Sequence, residues 1–417
     1  MRRFAAVLAV AAILGAACGS DDDESSTPTT AGETGGSGAS SITVEVDAKP
    51  SNLIMHALAY FPKAVTVRAG DTVKFHSNDT GEPHTVTFGT VVDDGLNAFN
   101  ALPDEIKNAD GPPDEAAIAK LPADQQKAVK DALALDEKLP SLLPDGPGDA
   151  NQLAANPCFS DSDPATDKAC PEQAQPAFNG KQAVYNSGYL PGDAVFEVKL
   201  AEDLAPGTYN YFCLLHRQGM TGTITVVDAD TEVPSAAEVA EAGDKELEEK
   251  FASKLRPQAA EVAKTPSDKP VAGAPPLEGE ELEAGLNVFG PDEIEAKAGT
   301  PVVWTVSGPH TIAVDAPQDA IGALVKAPDG TWHANEKAFA PVGGAGAPPP
   351  SEGPPDPKAP PVVIDGGTYS GSGFHSSGLI LSFGAPVYQY KLTFAKAGTY
   401  QISCQIHPDM KGSVKVS

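Results

Sequence analysis

The sequence lacks several patterns that would indicate an enzyme or a nucleic-acid-binding protein. Its five cysteines form no Cys-x-x-Cys pair, which argues against a zinc ribbon and against a thioredoxin-like redox site. It contains no Gly-x-Ser-x-Gly and no His-Glu-x-x-His motif, so nothing indicates hydrolytic chemistry. Basic residues are few, with 29 Lys and Arg against 57 Asp and Glu, and the net charge of −28 repels a phosphate backbone. We therefore expect no nucleic-acid partner, whereas such an acidic surface favours solubility and basic partners.

The N-terminus has the features of a targeting segment. A short basic start precedes an apolar run that is too short to span a bilayer as a folded helix but suits a signal peptide at 1–17. Residues 14–18 (LGAAC) resemble a bacterial lipobox, although glycine stands where leucine is usual three residues before the cysteine. We expect lipidation of Cys18, a flexible tether over 18–41 and an extracytoplasmic lipoprotein that contacts the membrane only through this anchor. An ordinary secretory signal with an incidental cysteine is the alternative.

An internal repeat organises the rest of the chain. A strand, a glycine turn, a second strand and a Pro-His-Thr loop in 61–86 recur in 289–312. Each half then closes with a Gly-Thr-Tyr strand that leads to a cysteine, and with one final strand. Short alternating strands separated by Gly and Pro turns indicate β-sandwiches. The sequence therefore predicts an all-β protein with two sandwiches in tandem, at 42–228 and 282–417.

Each half also carries an insertion. The first, at about 91–177, contains a helical stretch at 113–139 and ends with Cys158 and Cys170. Outside the cytoplasm, these two cysteines predict a local disulfide; an additional metal site is the less favoured alternative because no histidine lies nearby. The second insertion, at about 316–362, is rich in Pro, Gly and Ala and is expected to form a loop.

The two halves are expected to be joined by a linker over 229–281. Its first part, 235–264, has a composition compatible with a helix, and a stretch rich in Pro, Ala and Gly follows. We therefore expect a helix followed by a semi-stiff connection.

Each half contains one upstream histidine in a Pro-His-Thr loop and one Cys-x-x-His motif that is followed by a methionine. These candidate metal ligands are His84, Cys213, His216 and Met220 in the first half, and His310, Cys404, His407 and Met410 in the second. One thiolate, two imidazoles and a weak axial thioether form the ligand set of a blue-copper electron-transfer site. The soft sulfurs suit Cu(I) and the imidazoles suit Cu(II), so the ion can change oxidation state with little rearrangement. The sequence therefore predicts two copper ions.

On these motifs, the sequence resembles the cupredoxins, in particular the plastocyanin, pseudoazurin and amicyanin group. The resemblance covers 42–90 and 178–228 in the first half, and 282–315 and 363–417 in the second. The loop that ends at Met410 has the length of the short amicyanin loop, whereas the loop that ends at Met220 is one residue longer. The resemblance implies Greek-key sandwiches, copper held by the cysteine and two histidines of each set, and an electron port at His216 or His407.

Enzymes built from such domains need further copper ligands that this sequence lacks. It has no His-x-His pair, and only four of its eight histidines remain outside the two ligand sets, too few for a trinuclear cluster. We therefore expect no enzymatic activity and predict a carrier of single electrons between extracytoplasmic redox proteins. Copper sequestration or delivery at the cell surface is the alternative, and a metal-free structural sandwich is a third possibility.

The remaining histidines fit no motif. They are His56, His76, His333 and His375. We expect them at the surface or in loops, although His56 and His76 could form a weak secondary copper site because Met55 adjoins His56.

Overall fold

The computed structural model describes residues 39–50, 52–78, 80–103, 118–136, 138–142, 149–162, 175–274, 284–348, 358–382 and 386–417. Strands dominate this part of the chain, which confirms the all-β prediction. The predicted signal peptide, the lipidation site Cys18, most of the tether and the predicted disulfide partner Cys170 lie outside the described residues. Lipidation and the disulfide therefore stay predictions.

Two sheets enclose the core of the first half; strands are numbered in chain order. One sheet has the strand order β3 (Tyr60–Phe61), β1 (Ser41–Val46), β5 (Thr72–Ser77), β9 (Val195–Lys199). The other has the order β4 (Ala64–Arg68), β11 (Thr221–Val227), β10 (Gly207–Phe212), β6 (Thr87–Phe88), β8 (Val184–Asn186), β7 (Cys158–Ser160). Alternate side chains of both sheets, among them Val44, Phe75, Tyr211 and Ile224, share one buried apolar cluster. Period-2 alternation of apolar residues drives this arrangement because it puts one face of each strand in the core.

The second half repeats this strand order, with one strand more in its first sheet and one strand fewer in its second. Its first sheet runs β14 (Phe289–Gly290), β12 (Val271–Ala272), β16 (Pro301–Val306), β24 (Tyr388–Phe394), β21 (Val362–Tyr369). Its second sheet runs β15 (Glu293–Ala296), β26 (Lys411–Val416), β25 (Gly398–Ser403), β18 (Ala313–Val314), β22 (His375–Ser376). In both halves the first strand pairs in parallel with the strand that precedes the Pro-His-Thr loop, β1 with β5 and β12 with β16. Trp304 is fully buried and is a core residue, at the position that Phe75 occupies in the first half.

Three two-stranded ribbons complete the strands of the described residues. They pair β2 (Met55–Ala57) with β13 (Ala284–Leu286), β17 (Gly308–His310) with β23 (Ile380–Ser382), and β19 (Leu324–Lys326) with β20 (Trp332–Ala334). The β2–β13 ribbon joins the two halves directly through antiparallel pairing. A strand of the first half is therefore hydrogen-bonded to a strand of the second half.

Helices occupy the insertions and the predicted linker. The α-helices are Thr90–Asn100, Ala123–Asp136, Gln152–Ala155, Ala236–Leu247, Ser253–Val262 and Glu336–Phe339; Glu248–Ala252 is a π-helical segment, and Arg217–Gly219 and Gln318–Ala320 are 3-10 turns. A capping box between Ser235 and Glu238 starts the linker helix, as its composition predicted. Within the described residues, no helix combines the length and apolar content that a membrane crossing would need.

The structure corrects two expectations about the segments between the motifs. Strand β12 lies inside the predicted linker, so the second half's sheet begins before residue 282. The two residues between Pro270 and Gly273 are too few to show a periodicity, so the sequence pattern did not predict this strand. The second insertion is not only a loop, because β19 and β20 form a ribbon whose Leu324 and Trp332 pack against the apolar side chains of the first insertion.

Candidate metal centres

The structure brings together the predicted His and Cys residues of the first half. We call His84, Cys213 and His216 the first cluster, and their candidate ligand atoms lie within 4.8 Å of one another. His84 lies in the loop between β5 and β6, Cys213 follows β10, and His216 lies in the turn before β11. His84 and Cys213 are buried, whereas His216 is half-buried.

The second half forms an equivalent group from the same elements. We call His310, Cys404 and His407 the second cluster, and all three side chains are buried. Nδ1 of His310 lies 3.1 Å from Nδ1 of His407. The Sγ of Cys404 is 4.0 Å from the first of these nitrogens and 3.6 Å from the second. Three donor atoms therefore converge on one point.

A threonine connects the two ligand-bearing loops in each half. The backbone N–H of Thr85 donates to Cys213 Sγ at 3.4 Å, and its Oγ1 accepts from the Leu214 N–H at 2.8 Å. Thr311 makes the same two contacts, with Cys404 Sγ at 3.4 Å and with the Gln405 N–H at 2.7 Å. Neither threonine was predicted to have a role in the site. The signal was nevertheless present, since a threonine follows the upstream histidine in both halves.

The methionines close the same loops. The Cys213 N–H donates to the Met220 carbonyl at 3.1 Å, and the Cys404 N–H donates to the Met410 carbonyl at 2.9 Å. Both methionine side chains are fully buried, each in the apolar cluster that contains the cysteine of its own half. These positions place a thioether close to each cysteine, and the axial-ligand role of Met220 and Met410 stays a prediction.

The surroundings favour the thiolate form of both cysteines. Burial alone would raise the pKa of Cys213, but His216 and His84 beside it hold that pKa well below its usual value. For Cys404, burial likewise opposes ionisation, and His407 and His310 lower its pKa in the same way. A thiolate is the form of cysteine that binds metal ions.

A buried carboxylate supports the upstream histidine of the first cluster. Asp47 Oδ2 lies 3.2 Å from His84 Nε2. Burial of the imidazole lowers the pKa of His84, but Asp47 and Cys213 outweigh this effect and raise the pKa to about 10. Asp47 is itself held by the N–H groups of Ala48 and Ala57, each 2.6 Å from Oδ1, and by the Thr80 hydroxyl. A hydrogen bond at one ring nitrogen orients the other toward a metal ion.

The second cluster receives its carboxylate from the other half of the chain. Glu82 Oε1 lies 3.1 Å from His407 Nε2. Burial of His407 lowers its pKa, but Cys404 and Glu82 raise it to about 10. Gly273 occupies the position after β12 that Asp47 occupies after β1, and its backbone approaches the His310 ring too closely for a side chain. Burial leaves the pKa of His310 below its ordinary value.

The donor atoms fit a copper ion. Nδ1 of His84 and Nδ1 of His216 are buried and, within the described part of the chain, make no well-formed hydrogen bond, although both rings lie close to the Cys213 thiol. Unpaired buried nitrogens are costly, and a bound metal ion is a common reason for them. Two imidazoles and one thiolate in a buried trigonal group, with a methionine nearby, are the donors of a blue-copper centre.

The other histidines differ partly from expectation. His375 is buried in β22 and hydrogen-bonds the Tyr390 hydroxyl at 3.0 Å, so the expectation of a surface or loop position was wrong for this residue. His56 is half-buried and stacks on His407, whereas His76 pairs with Glu45. The suggested site from His56 and His76 therefore does not form. Instead, His56, Glu82 and His407 make a third group of candidate ligands that the sequence did not indicate.

Comparisons with known proteins give only distant similarity. No family model matches the sequence, and no curated protein matches it. Reduced auracyanin from the photosynthetic bacterium Roseiflexus castenholzii is 18% identical, with 46% of this chain and 99% of auracyanin covered and a TM-score of 0.22. A Cu(I) amicyanin variant is 14% identical, with 46% and 83% covered and a TM-score of 0.19. A purple cupredoxin from Nitrosopumilus maritimus is 17% identical, with 36% and 98% covered and a TM-score of 0.16. At these scores, the case for metal binding rests on the geometry of the two clusters.

Proposed function

We propose that this protein is a blue-copper electron carrier in which each half is a cupredoxin-like Greek-key sandwich that binds one copper ion. The observation that carries the proposal is the convergence of His310, Cys404 and His407, with donor atoms 3.1–4.0 Å apart. The bound ion would supply one-electron chemistry by cycling between Cu(I) and Cu(II). A second set of the same residues in the same positions of the first half supports a pair of such centres.

The residues of the chain would hold the ion rather than react themselves. In each half the cysteine and the two histidines would be the main ligands, with Met220 or Met410 as the weak axial donor. Thr85 and Thr311 keep the two ligand loops in register and donate a backbone N–H to the thiolate sulfur. The surrounding apolar cluster excludes water from the cysteine side of each centre. A rigid, dry set of ligands keeps rearrangement small when the charge of the ion changes.

The setting that we propose is extracytoplasmic, at the cell surface or in the periplasm. Lipidation at Cys18 would anchor the chain, and the net charge of −28 favours basic redox proteins as partners. Copper delivery would require ligands from which the ion is easily removed. The burial of all three residues of the second cluster favours a firmly held ion instead.

A copper(II) titration of the chain from residue 18, with Cys18→Ser, tests the proposal. We expect an intense blue thiolate-to-copper absorption band that saturates at two coppers per chain by metal analysis. Cys213→Ser and Cys404→Ser should each remove one of the two contributions, because each deletes one thiolate. His76→Ala is the matched control, since this histidine pairs with Glu45 outside both clusters and its loss should leave the band intact. Weak, exchangeable copper binding without a blue band would contradict the electron-carrier function.

A further inference from the structure

The outward-facing edge of one predicted copper ligand is covered by the other half of the chain. His407 directs Nδ1 toward His310 and Cys404, so its Nε2 lies on the opposite side of the ring. That nitrogen meets Glu82 Oε1 at 3.1 Å, and the His407 side chain is only 1% exposed. In the first cluster, by contrast, His216 is half-buried. The two centres therefore differ in their access to solvent.

Close packing between the two halves forms the cover over His407. The backbone at Gly81 lies so close to the second half that a Cβ there would be 1.9 Å from the Ile406 carbonyl oxygen. The His56 ring lies parallel to the His407 ring, with centroids 5.6 Å apart, and its Nδ1 is 2.9 Å from Asn287 Oδ1. The β2–β13 ribbon fixes this side of the interface. Both halves thus contribute hydrogen bonds and backbone packing to one closed contact.

Glu82, which covers His407, is also close to the first cluster along the backbone. Glu82 precedes His84 by only two residues, and His84 belongs to the first cluster. A single hydrogen bond and a short covalent segment therefore connect His407 of one cluster to His84 of the other. His407 itself has almost no contact with solvent.

We infer that Glu82 connects the two copper centres, so that the second centre exchanges electrons with external partners by way of the first. This inference rests on the proposed electron-carrier function. With copper bound in both clusters, an external one-electron donor would reduce Cu(II) to Cu(I) at the first centre through His216. Transfer along His84, Pro83, Glu82 and His407 would then return the first ion to Cu(II) and reduce the second to Cu(I). No covalent bond changes, and the proton on His407 Nε2 stays in its hydrogen bond with Glu82.

Stopped-flow reduction of the copper-loaded chain by hexaammineruthenium(II) tests the route. In the unaltered chain, both blue contributions should disappear rapidly. In Glu82→Ala, the contribution of the second centre should disappear in a slow phase, roughly 10- to 100-fold behind the first, the loss typical when an outer hydrogen-bond partner is removed. Glu82→Gln should restore the fast phase because its amide oxygen can still accept from His407. Glu45→Ala, which breaks a Glu–His pair outside both clusters, is the matched control and should behave like the unaltered chain.

The single-centre variant Cys213→Ser tests direct access. With copper only in the second centre, reduction should show the slow phase alone. Rapid reduction in this variant would overturn the inference. A blue band from the second centre would still support the proposed function. A third tightly bound metal ion that disappears in Glu82→Ala would also overturn it, because Glu82 would then be a ligand with His56 and His407. Absence of any blue band would instead overturn the proposed function.

Acylation of the metal-free chain by diethyl pyrocarbonate, followed by peptide mapping, examines the cover without copper. His216 should be modified readily and His407 slowly. The same order should hold in Glu82→Ala, because the backbone at Gly81 and the ring of His56 still cover His407. Equal modification of both histidines in the unaltered chain would show that the cover is open in solution and would overturn the inference.

Discussion

The first and second clusters contain the same residue types in the same positions of the fold, yet they have different neighbours. His84 is held by Asp47 from its own half, whereas His407 is held by Glu82 from the other half. Where the first half has Asp47 after its first strand, the second half has Gly273, and both residues have a positive φ. A duplicated ligand set therefore does not imply duplicated access or duplicated electrostatics. The packing of one half on the other makes the difference.

Of the substitutions that distinguish the two clusters, Asp47→Ala is expected to change stability and copper binding most. The substitution leaves His84 Nε2, the Thr80 hydroxyl and two backbone N–H groups without their shared partner in a buried place. Removal of one partner from a buried pair typically costs about 3–5 kcal/mol. We expect a loss of this size in urea unfolding of the metal-free chain, together with weaker copper binding in the first cluster only. Equal weakening of both clusters would contradict the assignment of Asp47 to one centre.

Gly273→Ala is the corresponding change in the second half. A Cβ at this position would lie 2.0 Å from the Ser307 carbonyl oxygen and 2.4 Å from His310 Nε2. Positive φ alone costs about 1–3 kcal/mol when it is forced on an ordinary residue, and the collision adds to this. We expect lower stability and a changed blue band from the second cluster, measured in the Cys213→Ser background. An unchanged band would show that the His310 ring moves aside freely.

Thr85→Val and Thr311→Val should affect the two clusters alike. Each removes the acceptor of one buried backbone N–H, that of Leu214 or of Gln405, which costs about 1–3 kcal/mol. Because the threonine contacts are nearly identical in both halves, the two variants should lower the thermal midpoint by similar amounts. A clear difference between them would show that one loop is held mainly by other contacts.

The smallest effect is expected at the surface ion pair between the halves. Lys49 Nζ lies 2.6 Å from Asp409 Oδ2, with side chains 35% and 47% exposed. Exposed pairs contribute about 0–1 kcal/mol, so Asp409→Asn should hardly change the urea midpoint or the modification of His407. A large increase in that modification would show that this pair, rather than the apolar contacts and the β2–β13 ribbon, holds the cover in place.

Local patterns were sufficient for most strands and for the candidate ligands. Apolar alternation marks Val195–Lys199 and Tyr388–Phe394 as strands, and the structure pairs them with β5 and β16. The Cys-x-x-His spacing identified both cysteine loops because those residues lie on one short turn. The two-residue strand β12 was missed, since its pairing depends on β16 and β14 rather than on its own periodicity.

The kind of site could be predicted from short-range spacing, because a strand end and a tight turn bring the Cys and the His of each Cys-x-x-His motif together. The solvent exposure of each site could not be predicted, because Glu82 and His407 are 325 residues apart and meet only through the packing of the two halves. The same holds for His56, whose position against His407 depends on the β2–β13 ribbon. Donor chemistry is a local property of the chain, whereas burial and outer hydrogen bonds are set by surfaces that meet only in the folded molecule.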